Sequence, residues 1–106
     1  MLFLKDSVSI KGIQPEMVLG LVICYSVWEL YTHGIPFVVT SVSDGNHSPR
    51  SLHYRGFAAD IRTRDIGPQL SASIVTLFKK SLGKDFDVVL ESDHIHVEFD
   101  PKTLTH

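Results

Sequence analysis

Two short stretches carry the side chains of this chain that could do chemistry. The first, Ser51-Leu52-His53-Tyr54-Arg55-Gly56-Phe57-Ala58-Ala59-Asp60, sets an imidazole and a carboxylate on either side of a glycine and two alanines. The second, Glu91-Ser92-Asp93-His94-Ile95-His96-Val97-Glu98-Phe99-Asp100, places two histidines one residue apart with acids before and after them. On a strand, alternation would put His94, His96 and Glu98 on one face and Ile95, Val97 and Phe99 on the other. The apolar set belongs against a core, so both imidazoles should project together from the opposite face. A lone histidine is more often structural than a ligand, and two on one strand face are a stronger sign of metal binding.

Asp60 strengthens that sign. A carboxylate among Ala58, Ala59 and Ile61 carries a large desolvation cost unless a cation or several donors satisfy it. A divalent ion would do so directly. An ion pair with Arg62 or Arg55 would also serve, and His53 could make no more than a hydrogen bond within a loop. Each of these plainer readings suits one residue, and they are less attractive when all the residues converge. Histidine, aspartate and histidine around zinc, with a fourth position left to water, is the arrangement of catalytic zinc sites. Cys24 is the only cysteine, which excludes an intrachain disulfide and an all-cysteine zinc site. It lies in an apolar run and reads as a small buried hydrophobe.

The elements that must hold these residues are readable from pattern. Pro15 suits the first turn of a helix running to about His33, with Gly34 and Pro36 as its stop. Residues 36–42 are β-branched and read as a strand, and residues 43–51 collect Ser, Asp, Gly, Asn and Pro as a loop. Residues 56–62 fit a strand whose small residues admit a close neighbour. Residues 67–83 form a second amphipathic helix, with apolar Leu70, Ile74, Leu77 and Phe78 and with Lys79 and Lys80 at its negative pole. Residues 86–92 and 94–100 complete the pattern as two strands with a tight connection. Two main helices beside a small antiparallel sheet make an α+β fold. Tyr25 and Trp28 on the first helix read as core rather than as a platform for substrate.

The bulk properties narrow the function classes. A chain of 106 residues holds one domain, and 43% hydrophobic residues are enough for a packed core. The formal net charge is −2 with no run of like charges, so a nucleic-acid partner is not indicated. Basic residues do gather at Arg50, Arg55, Arg62 and Arg64, where they could hold an anionic group of a small substrate. The apolar start is too short for a secretory signal, and the apolar stretch 17–31 falls short of the roughly 20 residues that cross a bilayer. No membrane partner is expected, and synthesis in the cytoplasm is.

The two stretches together resemble the zinc D-alanyl-D-alanine carboxypeptidase and L-alanyl-D-glutamate endopeptidase family, whose fold is shared with the Hedgehog signalling domain. Ser51-x-His53-x-x-Gly56-x-Ala58-x-Asp60 and Asp93-His94-Ile95-His96-Val97-Glu98 carry the resemblance, which covers roughly residues 36 to 100 and is nearest to compact phage-encoded members. It implies a Hedgehog-type α+β fold, Zn2+ as cofactor, and His53, Asp60 and His96 as its ligands. Asp93, three positions before the last ligand, falls on the family's general base, and His94 would flank the zinc and steady the substrate carbonyl. Glu91 stands in the same relation to His94, so Glu91 as base with His94 as ligand is the alternative; the Asp-His-x-His form favours Asp93 with His96. The implied activity is hydrolysis of peptide bonds in peptidoglycan stem peptides. Zinc would lower the pKa of a water and polarise the peptide carbonyl while Asp93 moves the proton.

One departure concerns the substrate. Relatives carry an arginine soon after the first strand to grip a carboxylate, and this chain has Thr40-Ser41-Val42-Ser43-Asp44-Gly45-Asn46-His47-Ser48 there. Arg50 is the nearest replacement, followed by Arg55 and His47, with Ser41 as a hydrogen-bonding neighbour; His47 reads equally well as a loop cap. Without an export signal, an enzyme of the cell wall would act as a phage lysin after holin release or as part of a virion, with other virion proteins as partners. The rival readings are a non-catalytic zinc-binding module and a structural virion protein on the same fold.

Overall fold

The structure, a computed structural model, describes residues 1–5, 13–43 and 58–100. Pro15 opens helix α1 (Pro15–Thr32), where its missing N–H costs nothing because first-turn donors lack intrahelical partners. The helix stops at His33, which takes the left-handed conformation at φ 56° and returns its N–H to the Glu29 carbonyl. Gly34 follows at φ 101°, so the reversal occupies two residues and the histidine bears the more costly part of it. Helix α2 (Gly67–Leu82) ends at Gly83, with Lys79 and Lys80 in its last turn beside the unpaired carbonyls.

Among the described residues five strands form one sheet: β1 (Leu2–Leu4), β2 (Phe37–Ser43), β3 (Ala58–Arg62), β4 (Phe86–Leu90) and β5 (His94–Phe99), in the order β1-β2-β3-β5-β4. The α+β class and both helices stand as expected. The sheet is mixed, however, because β1 lies parallel to β2 with Leu2 opposite Phe37 and Leu4 opposite Val39. The other pairings are antiparallel. A strand of three residues, apolar throughout, shows no alternation by which a sequence could announce it.

Both helices cover one face of the sheet. From α1 come Met17, Leu21, Cys24 and Trp28, and from α2 come Ile74, Val75 and Phe78. They meet Phe37, Val39, Ile61, Val88, Ile95 and Val97 of the strands. Trp28 is fully buried, donates its indole N–H to the Ile35 carbonyl at 2.7 Å, and packs edge-on against Phe37 at 5.4 Å. Tyr25, partly buried, contacts the same ring at 5.7 Å, so Trp28 is a core residue and Tyr25 packs at the edge of the core. Cys24 is buried too, and burial pushes its thiol up to about 12. At Gly20 an added Cβ would lie 2.7 Å from Cε2 of Phe86, so the absence of a side chain sets how closely α1 approaches β4. No helix among the described residues is long and apolar enough to cross a membrane.

Candidate metal centre

The sheet face turned away from the helices carries the polar residues, and strand alternation decides which. On β5, Ile95 and Val97 are fully buried in the core while His94, His96 and Glu98 are half-buried on the other side. Strand β3 runs antiparallel to it with Asp60 opposite His96, Arg62 opposite His94 and Ala58 opposite Glu98. Residues 36 positions apart thus become nearest neighbours, and Nδ1 of His96 lies 2.8 Å from Oδ1 of Asp60.

Strand β2 contributes through an irregularity. Val39 pairs with Ile61 and Ser41 pairs with Asp60, so Thr40 is an extra residue in the ladder. In a regular strand with no bulge, Val39 and Ser41 would share one face. The bulge instead leaves Val39 in the core and turns Ser41 to the side of Asp60. The Thr40 hydroxyl donates to the Asp60 carbonyl at 3.5 Å.

Around this centre the side chains form a line of alternating acids and imidazoles. Glu98 Oε1 lies 2.7 Å from His96 Nε2, and Asp60 Oδ1 lies 3.6 Å from His94 Nε2. The far nitrogen of that ring, Nδ1 of His94, lies 2.6 Å from Asp93 Oδ1. His96 has a carboxylate on each ring nitrogen, an arrangement that suits the imidazolium. The Asp60 hydrogen bond, helped by Glu98 and opposed by burial, raises its pKa to about 9. Asp93 sits on the connection between β4 and β5 with its side chain 82% exposed, and the hydrogen bond from His94 holds its carboxyl below the usual range. Arg62 is engaged by Asp65 at 2.7 Å rather than by Asp60.

Of the expected ligands, then, Asp60 and His96 are adjacent and aimed at each other. Imidazole nitrogen and carboxylate oxygen are donors that zinc accepts. A tetrahedral ion with bonds of about 2.0–2.1 Å spaces its ligand atoms about 3.3 Å apart. A small rotation of either side chain would open the 2.8 Å contact that far. Asp60 and His96 therefore fit as two donors to such an ion. The third expected ligand, His53, lies outside the described residues, as do Arg50, Arg55 and His47. Among the described residues, the one group of three acids or histidines whose ligand atoms all lie within 4.8 Å of one another is Asp87, Glu98 and Asp100. Being all oxygen, that group does not match the expected zinc set.

Of the two candidate bases, Asp93 contacts His94 and lines with it a hollow of about 550 Å³ that also includes Lys5, Thr40, Arg62 and Arg64. Glu91 lines a second hollow, beside Gly67 and Pro68 at the start of α2, which Asp93 borders as well. Lys5, Thr40 and the Glu98 contact were not foreseen as parts of the site. Glu98 could have been found by the same alternation that found the histidines. Lys5 directly follows β1, which has no local signal. A scan against protein-family models and a search of curated proteins each found no match to this chain.

Proposed function

We propose that this protein is a zinc-dependent peptidase acting on peptidoglycan stem peptides. The observation that supports the reading is the Asp60–His96 contact, formed across adjacent strands by the residues in which the two motifs would meet. Asp60 and His96, with His53, would hold the ion, which when bound supplies Lewis acidity towards a peptide carbonyl and a water of lowered pKa. Asp93, ionised at neutral pH and exposed at the mouth of the same face, is the group to accept a proton and return it to the leaving amine. His94 is held by Asp93 through Nδ1 with Nε2 facing the centre, so that in its imidazolium form it would donate Nε2–H to the substrate carbonyl. Lys5 and Arg64 beside Asp93 give the hollow positive charge, as an acidic stem peptide would require. Arg50, Arg55, His47 and Ser41 remain the proposed substrate contacts from the sequence. Action on the wall after holin release or on a virion belongs to this proposal.

The test is hydrolysis of purified muropeptides, followed by mass, with and without a chelator. Cleavage should be abolished by the chelator and restored by zinc, and Asp93→Ala should lose at least about 100-fold in rate while still binding zinc. Zinc uptake with no cleavage by the wild-type protein would refute the enzyme and leave the second reading, a non-catalytic or structural module. One observation favours that second reading: Asp60 and Glu98 already satisfy both ring nitrogens of His96 without any ion.

A further inference from the structure

Glu98 has no place in the ligand set, yet it is the least exposed of the acids around the histidines, its side chain 13% exposed against 24% for Asp60. It follows His96 by two residues on β5, so the pleat brings both side chains to one face. Its Oε1 lies 2.7 Å from Nε2 of His96, while Nδ1 of the same ring faces Asp60. Asp87 and Asp100 crowd Glu98 from the side, with ligand atoms within 4.8 Å, so an N–H pointing at this carboxylate relieves like-charge repulsion. A histidine that ligates a metal through one nitrogen usually donates its other N–H to a carboxylate, carbonyl or water, which fixes the ring and strengthens the ligand.

We infer that Glu98 is a positioning residue for His96: it accepts the Nε2–H hydrogen bond and thereby makes Nδ1, the nitrogen facing Asp60, the one that binds metal. This rests on the metal reading above and adds to it which nitrogen ligates and what holds it there. Ligation through Nε2 instead would need the ring to turn over and give up the 2.7 Å contact with Glu98.

The experiment uses the full chain and zinc itself. Nitrogen-15 spectra of the His96 ring, with and without zinc, read which nitrogen carries metal and which carries hydrogen. Calorimetric titration compares wild type with Glu98→Ala and Glu98→Gln. Metal on Nδ1 and hydrogen on Nε2 is the expected spectrum. The alanine variant should bind zinc about 10–100-fold more weakly. The glutamine variant keeps an acceptor oxygen and should recover most of that loss, a rescue that a purely packing role would not give. Metal on Nε2 in the wild type, or unchanged affinity in the alanine variant, overturns the inference and leaves the metal reading intact. A folded wild-type protein that takes up no zinc overturns the metal reading and this inference together. The wild-type spectrum decides the matter even if a variant fails to fold.

Discussion

His96 holds a proton that its surroundings stabilise. In an unfolded chain its pKa would be near 6.5, and in the folded, metal-free protein it is raised to about 9 by Asp60 and Glu98. A group whose folded pKa is the higher one contributes its full stabilisation below the unfolded value and loses it as the pH climbs through the folded value. The metal-free protein should therefore lose stability between about pH 6.5 and 9, by at most about 3 kcal/mol. Urea melts in the presence of a chelator at pH 6, 7.5 and 9 would show the decline. His96→Gln should flatten it, and an equal slope in that variant would assign the effect elsewhere. Asp93 behaves in the opposite sense, since the His94 hydrogen bond favours its ionised form and holds its carboxyl below the usual range.

The pairing of β3 with β5 carries the site, and Gly20 sets how closely α1 approaches Phe86 of β4. Alanine at that position would gain about 1 kcal/mol of helix propensity. Its methyl, however, would meet the Phe86 ring at 2.7 Å, and that ring is itself packed on Phe99 at 5.2 Å. Overpacking of this kind costs about 1–3 kcal/mol, so Gly20→Ala should be destabilising or at best neutral. Adding Phe86→Leu should make the methyl tolerable, and denaturant melts of the single and double variants would reveal the coupling. The same elements show what could be read in advance. The start and stop signals around residues 15–32, the spacing of apolar residues over 67–82, and the alternation of His94 to Phe99 marked two helices and the strand bearing both histidines. Strand β1 escaped because three apolar residues carry no period, and with it went Lys5. The bulge at Thr40 escaped because an extra residue in a ladder is a property of the pair of strands, which neither strand's sequence contains. Two expected ligands could be brought together on paper by residue type, but their contact depends on register between segments far apart in the chain.

Helices pack on one side of the sheet, and the paired histidines and carboxylates lie on the other. Cys24 reports on the first. Buried between helix and sheet, with its thiol pushed up to about 12, it should resist aromatic disulfide reagents at pH 8. Labelling should become fast only at denaturant concentrations that melt the Trp28 environment, so thiol release and tryptophan emission should share one midpoint. Fast labelling in native buffer would mean that α1 opens on its own.

The strand order has a further consequence. Strand β5 comes last among the described strands in the chain, yet lies between β3 and β4. A nascent chain still on the ribosome with residues 94–99 unmade has two unpaired edges where the middle of the sheet should be, and neither histidine of the centre. Synthesis therefore delivers, in the same six residues, the strand that joins the two parts of the sheet and both of its histidines.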